Sequence, residues 1–171
     1  MMAKLIVEGK EFDIEILDPA LDKLLKPAEK KTGYERVDEG SVAYLGYMTP
    51  EGTTAGMIDN RGAICHCAYD RADYYSDETV ARNNARADKL MRQLRRFSAE
   101  HRDNALDWSK DTKAKYTIQF DYETNTLNYD YWYGSREFGT IFFDSAETSE
   151  LAIDTFRDEL MWYFTEYKDS L

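Results

Sequence analysis

The sequence predicts an α+β fold, in which small antiparallel β-sheets are packed by helices. Several short segments alternate apolar and polar residues between turn residues, which is typical of β-hairpins. Two long segments instead repeat apolar residues at helical spacing after a capping residue, which predicts amphipathic helices. The 171 residues are 43% hydrophobic and 14% aromatic, so the chain can bury one core or two small modules that share one.

Residues 1–31 are predicted to form a β-hairpin and a short helix. Residues 4–17 alternate apolar and charged side chains around a central glycine, which indicates two strands joined by a tight turn. Asp18 is then a suitable N-cap and Pro19 fits the first helical position, while Pro27 ends the helix.

Residues 32–106 are predicted to form a first module, a β-meander followed by a long helix. Residues 41–48 and 54–60 flank a Pro-Glu-Gly turn and predict a hairpin, with 63–68 as a candidate third strand. From about 77 to 102 the apolar residues share one helical face, which predicts a long amphipathic helix.

Residues 107–171 are predicted to form a second module of the same kind. The aromatic-rich segments 115–121 and 126–133 predict a hairpin, and a short strand is expected at 140–143. Asp144-Ser145 then caps a final helix. The recurring order of strand, cap and helix indicates either a degenerate duplication or a chance recurrence in an α+β protein, and the modules are expected to form one compact unit.

Charge is unevenly distributed along this chain, whose net charge is −11. Residues 82–102 contain seven basic and two acidic side chains, whereas residues 121–171 contain twelve acidic and three basic ones. Helical geometry places five bases in a stripe away from the apolar face: Arg82, Arg86, Lys89, Arg92 and Arg96. This basic stripe either binds phosphates or an acidic partner, or it is a solvated face that pairs with acids of the other module.

An acidic and aromatic surface is the strongest candidate binding site. Tyrosines alternate with other residues along 129–133, so both faces of that strand carry rings and one row should be accessible. Trp162 lies among acids on the last helix. The predicted partner-binding residues are Tyr129, Asp130, Tyr131, Trp132, Tyr133, Asp154, Asp158 and Trp162. The alternative is that these rings belong to a larger core or to the seam of a homodimer.

No catalytic motif is present in the sequence, so we expect no catalytic residue, metal or cofactor. Cys65-His66-Cys67 contains three metal-capable side chains, but a zinc site needs four ligands, and on a strand His66 would point away from both cysteines. The carboxylates near the strand-to-helix junction of the first module lack the spacing of a two-metal site: Asp59, Asp70, Asp73 and Asp77.

The sequence also predicts the cellular compartment of the protein and the class of partner that it binds. Adjacent cysteines separated by one residue make a disulfide unfavourable, no apolar run approaches a membrane span, and the N-terminal segment mixes charges where a signal peptide is apolar. We therefore expect a cytoplasmic protein. Its acidity disfavours general binding to nucleic acid, whereas carboxylates can occupy the basic groove of another protein.

Three segments of the second half carry a family resemblance: ARADKLMRQLRRFSAEHRD (85–103), KYTIQFDYETNTL (115–127) and FGTIFFDSAETSELAIDTFRDELMWYFTEY (138–167). They cover about half of the chain, which from Arg86 onward resembles small accessory proteins of temperate phages and mobile elements of Firmicutes. The resemblance implies a phage origin. Phage proteins of this size and acidity are often similar to inhibitors of bacterial defence, among them anti-CRISPR proteins that occlude the nucleic-acid grooves of an RNA-guided nuclease.

Three hypotheses for the function follow. The first is a non-enzymatic counter-defence protein in the cytoplasm of the bacterial host, most concretely an anti-CRISPR-type inhibitor that binds a type II CRISPR effector nuclease and its guide RNA complex through the acidic, aromatic surface. The second is a nucleic-acid-binding accessory or regulatory protein that uses the basic stripe. The third is a metal-dependent nuclease or a nucleotide sponge.

Overall fold

The computed structural model describes residues 2–7, 10–15, 31–49, 52–103, 105–109 and 112–170. Within these residues lie four helices and three two-stranded antiparallel sheets, which confirms the α+β fold. None of the described helices is both long and apolar enough to cross a bilayer. The chain divides into two compact units, residues 1–31 and residues 32–171.

The first unit contains the predicted N-terminal hairpin. β1 (Met2–Val7) pairs with β2 (Lys10–Glu15), in a register that sets Met2 opposite Glu15 and Val7 opposite Lys10. The pairing confirms the two strands that the alternating pattern predicts. The helix predicted after Asp18 lies outside the described residues.

The first module of the second unit opens with another hairpin. β3 (Val42–Met48) pairs with β4 (Thr54–Ile58), and the register shifts between Leu45 and Met48. The pairing confirms the two strands of the predicted hairpin, whereas Pro50 and Glu51 of the predicted turn lie outside the described residues. Its two strands present one face to the helices that follow, with Ala43 fully buried.

A helix, α1 (Ala63–Asp70), follows β4 where the sequence predicts a third strand. The buried residues of this segment are Cys65 and Ala68, which are three positions apart and so share a helical face. Ala68 packs in a small cluster with Ala43 and Tyr74. The strand prediction is wrong because this packing, which the local sequence does not reveal, favours helical spacing.

The chain then returns to β3 before the long helix begins. Tyr44 and Tyr75 exchange two backbone hydrogen bonds of 2.9 Å, forming a single antiparallel bridge. Two residues later Asp77 caps α2 (Glu78–His101), because its carboxylate accepts from the Val80 N–H at 2.9 Å. The long amphipathic helix is confirmed.

The second module repeats this order. β5 (Lys115–Asp121) pairs with β6 (Thr126–Trp132). Tyr116 exchanges backbone hydrogen bonds of 2.8 and 2.9 Å with Phe143, and two residues later Ser145 caps α3 (Ala146–Thr155) through the Thr148 N–H. Of the strand predicted at 140–143, only this one bridge at Phe143 is present.

The C-terminal helix is interrupted, although the sequence predicts one continuous helix. α3 ends at Thr155, Phe156 adopts φ −113° and ψ 20°, and α4 (Arg157–Thr165) follows. The Phe156 ring packs edge-on against Phe97 with centroids 5.5 Å apart. The prediction of an unbroken helix is wrong because the break accompanies this contact with a residue far away in sequence.

α2 supplies the core of both modules. Its N-terminal part packs on the first hairpin, where Val80 and Ala81 form a cluster with Tyr75. Its C-terminal part contributes to the larger core with the second module. The buried residues of that core are Leu90, Leu94, Phe97, Phe143, Ala152 and Leu160. One helix therefore joins the two hairpins, and most of its predicted apolar face is buried.

Candidate functional site

Three exposed tyrosines follow one another along β6 and just beyond it: Tyr129, Tyr131 and Tyr133, called here the tyrosine row. Their exposed fractions are 37%, 55% and 54%. Alternate residues of a strand point to one face, and the rings of Tyr131 and Tyr133 meet edge-on with centroids 5.7 Å apart. One accessible aromatic row on this strand is confirmed.

β6 is an outer strand of its sheet, since its only strand partner among the described residues is β5. Tyr116 directs its backbone groups towards Phe143, so its partner Tyr131 directs its own to the opposite, outer edge. There the Tyr131 N–H donates to Asp130 Oδ1 at 2.7 Å. A side-chain carboxylate thus covers part of this strand edge.

Carboxylates lie beside the tyrosine row. Glu150 and Asp154, on consecutive turns of α3, line the same surface cavity as Tyr129. The Asp154 side chain is 71% exposed and pairs with Arg157 at 2.7 Å. Asp158, near the start of α4, is exposed as well. The fold therefore brings the exposed acids Glu150 and Asp154 of α3 next to Tyr129 of β6, whereas Asp158 lines a different cavity.

Asp130 and Trp132 belong to the other face of β6. Asp130 also accepts from Gln119 Nε2 at 3.3 Å. Trp132 is half-buried, and its indole N–H has no hydrogen-bond partner among the described residues. Their alternation with the tyrosines separates them from the row, so the predicted set divides between two faces of the sheet.

Trp162 is buried, with an exposed fraction of 8%, so its predicted place on an accessible face is wrong. The Arg86 guanidinium lies 4.0 Å from the centre of its ring and forms two hydrogen bonds, of 2.8 and 3.1 Å, with Glu159. The indole is covered by this cation from α2, a contact between positions far apart in sequence.

The basic stripe is largely paired within the chain. Arg82 bonds Glu78 at 2.7 Å, Arg86 bonds Glu159, and Arg96 lies 3.8 Å from Glu100. Lys89 and Arg92 are exposed and have no ion pair with any residue that the structure describes. Among the described residues, Arg86 therefore pairs with an acid of the second module, as the structural alternative predicts, whereas Arg82 and Arg96 pair with acids of α2 itself.

The Cys65-His66-Cys67 segment lies on α1, so its three side chains point in different directions. Cys65 is buried with Sγ 3.5 Å from Asn60 Oδ1, whereas Cys67 is exposed. His66 Nδ1 lies 3.0 Å from an Arg36 nitrogen. No group of three histidine, cysteine, aspartate or glutamate side chains in the described part of the chain is arranged to hold a metal ion.

Asp59 is a fully buried carboxylate directly after β4. It accepts from Arg36 Nε at 3.1 Å, from Tyr74 Oη at 2.8 Å, and from the Arg61 backbone and side chain at 2.8 and 3.2 Å. Burial acts to raise the pKa of Asp59, but these donors outweigh it and hold the pKa far below its ordinary value. The network anchors the connection between β4 and α1.

The other acids of the first module serve separate local roles. Asp73 Oδ1 accepts from the Gly46 N–H at 2.8 Å, Asp77 caps α2, and Asp70 is exposed. His101, at the end of α2, stacks on Phe97 with centroids 3.9 Å apart. These side chains do not converge on a common point.

Sequence reasoning missed a second basic group, called here the arginine cleft: Arg95, Arg102 and Arg136. They line one surface cavity of about 480 Å³ together with Trp108. Arg95 and Arg102 are seven positions apart and therefore share a face of α2 and its C-terminal end, which the spacing alone indicates. Arg136 joins them from the segment after β6, which no local pattern predicts.

The fold and the surface define a class: an α+β protein with two hairpin-and-helix modules, a tyrosine-rich acidic face and a separate arginine cleft. The chain matches no family model, no curated protein and no solved structure.

Proposed function

We propose that this protein is a non-enzymatic inhibitor that binds a basic protein partner through the tyrosine row and the neighbouring carboxylates. The observation that carries the proposal is the row of three exposed tyrosines, which begins at Tyr129 beside the exposed acids of α3. Tyrosine is a favoured interface anchor because its ring buries much apolar area with few rotatable bonds, while its hydroxyl still forms hydrogen bonds.

Charge supports a basic partner. The chain carries −11 overall, and residues 121–171, which include the tyrosine row, contain twelve acids against three bases. Such a surface attracts a positively charged protein and places carboxylates where phosphates would otherwise meet arginine and lysine side chains. Together with the resemblance to phage accessory proteins, this favours a host defence protein in the bacterial cytoplasm. The most concrete partner is a type II CRISPR effector nuclease and its guide RNA complex, which makes the protein anti-CRISPR-type.

Binding of the full chain to purified type II effector nucleases, with and without guide RNA, tests the proposal by biolayer interferometry. We expect a submicromolar Kd that weakens with added salt and does not change with chelator. Replacing Tyr129, Tyr131 and Tyr133 together by serine should weaken binding by about 100-fold, since each anchor contributes about 1 kcal/mol or more.

Tyr47→Ser is the matched control, because Tyr47 is 49% exposed but belongs to β3 of the first module. The affinity of the Tyr47→Ser variant for the effector should stay within about twofold of that of the parent chain. Absence of binding to every effector, or equal binding by the triple variant and the parent, would show that the proposal is wrong.

A further inference from the structure

The arginine cleft is a cavity of about 480 Å³ between the C-terminal part of α2 and the segment that follows β6. Arg95 and Arg102 enter it from α2, Arg136 enters from the opposite segment, and Trp108 forms part of the wall. Small-ligand sites commonly have volumes of about 300–1000 Å³, so the cavity has the size of such a site.

The guanidinium groups of the three cleft arginines have no counter-ion among the described residues. None of these groups has an ion pair or a hydrogen bond with a residue that the structure describes, although the chain has 33 acidic and 22 basic side chains. On the same helix, Arg82, Arg86 and Arg96 each lie near a carboxylate. Guanidinium groups that share a cavity repel one another, and an anion placed among them relieves that repulsion.

An aromatic ring completes the cleft. The Arg136 guanidinium lies 5.9 Å from the centre of the Trp108 ring, and Lys115 Nζ lies 5.1 Å from it. The ring meets Phe142 edge-on with centroids 4.9 Å apart, which holds it in place. Lys115 is buried and does not line the cleft, so the cation that a ligand can reach beside the indole is Arg136, and this pair suits a ligand that has both phosphate and a flat ring.

The helix end at the cleft does not favour an anion. Arg102 is the C-cap of α2, where the helix dipole places partial negative charge. An anion there gains nothing from this helix end and depends on the guanidinium groups. Loss of one arginine should therefore weaken binding strongly.

The negative net charge of the chain favours binding of a small anion in the cleft over binding of a nucleic-acid strand. In physiological salt, screening limits the range over which surface charges interact to about 8–10 Å. A small anion inside the cleft is therefore attracted mainly by the nearby arginines. A nucleic-acid strand would extend beyond the cleft over a chain of net charge −11, which repels it. We infer that the arginine cleft binds a nucleoside phosphate, a function separate from the inhibitor role because the tyrosine row contributes no residue to this cavity.

Isothermal titration calorimetry of the full chain tests the inference with ADP, GDP, CDP and UDP individually, with adenosine, and with a single-stranded oligonucleotide of thymidines. At least one diphosphate should bind with micromolar Kd, and adenosine should bind at least about 10-fold more weakly than ADP if ADP is the ligand. Arg95→Gln and Arg136→Gln should each weaken binding by about 10-fold or more, the effect of losing a charge-assisted hydrogen bond.

Arg96→Gln is the matched control, since Arg96 neighbours Arg95 on α2, is 72% exposed and does not line the cleft. It should change affinity by less than about twofold. Arg136→Gln lies outside the helices and keeps the test valid if Arg95→Gln fails to fold by circular dichroism. The inference is overturned if no diphosphate binds, if Arg96→Gln has the same effect as the cleft variants, or if the oligonucleotide binds more tightly than every diphosphate.

Discussion

The two modules follow one plan but complete the outer edge of the first hairpin strand differently. In the first module Tyr44 is bridged to Tyr75, and two residues further along β3 the Gly46 N–H donates to Asp73 Oδ1 at 2.8 Å. The Asp73 carboxylate thus accepts the hydrogen bond that a backbone carbonyl would accept if a third strand continued here. The edge is closed without a longer strand.

In the second module, the two chain segments separate beyond the bridge between Tyr116 and Phe143. Ile118 occupies the position of Gly46, and Ile141 that of Asp73, so no carboxylate is available there. The segment 137–141 leaves β5, and an apolar groove of about 270 Å³ lies between them. The two modules therefore share the single bridge and the helix cap that follows it. Whether the outer edge of the first hairpin strand is covered depends on the segment that precedes the bridge.

The residue directly after each hairpin also differs. Asp59 follows β4 and is fully buried in a network of donors, whereas Tyr133 follows β6 and is 54% exposed. The first module therefore holds its connection through a buried charge, and the second displays a ring at the equivalent place.

Among the substitutions that test this comparison, Asp59→Asn should have the largest effect on stability. The substitution keeps the side-chain shape but leaves Arg36 and Arg61 without their buried counter-ion, so the thermal midpoint should fall by about 10 °C or more. Differential scanning calorimetry measures it. Tyr133→Ser, after the other hairpin, should shift the midpoint by less than about 2 °C. Equal shifts would show that the two connections do not differ in this way.

Gly46→Ala should have an intermediate effect. A Cβ atom at this position would lie 2.7 Å from both Asp73 Oδ1 and Tyr75 Cε2, so the closed edge would have to open. We expect a loss of about 1–3 kcal/mol in the free energy of unfolding, measured with urea. Gly56→Ala on β4 is the control, because its nearest neighbour would be 3.5 Å away. A neutral Gly46→Ala would contradict the close packing of this edge.

Glu35→Gln should have the smallest effect and should depend on pH. Hydrogen bonds led by that of the Thr32 backbone N–H lower the pKa of Glu35 to about 2, and Ser76 donates to the same carboxylate at 3.0 Å just after the first bridge. Because the folded-state pKa of Glu35 is below its ordinary value of 4.5, the stabilisation is present above about pH 4.5 and is lost as pH falls towards 2.

Urea titrations at pH 7 and pH 2 measure this difference. The parent chain should be more stable than Glu35→Gln at pH 7, and the gap should close at pH 2. Glu39→Gln, an exposed substitution nearby, should leave the pH dependence unchanged. A gap that is constant with pH would mean that the Glu35 carboxylate does not hold the first module together.

The site was partly predictable. Alternation along 129–133 correctly indicated an accessible tyrosine row, because strand geometry depends only on neighbouring residues. The burial of Trp162 was not predictable, since it depends on Arg86, which reaches it from another helix. The arginine cleft was missed for the same reason, because Arg136 joins Arg95 only through the path of the chain after β6.

By itself the sequence determined the three described hairpins, the cap at Ser145, and the long helix between the modules, because periodicity and capping act over a few residues. Tertiary structure alone decided that 63–70 is helical, that the last helix breaks at Phe156, and which arginines are paired. These outcomes depend on packing and charge contacts between residues distant in the chain, whose free energies no local pattern contains.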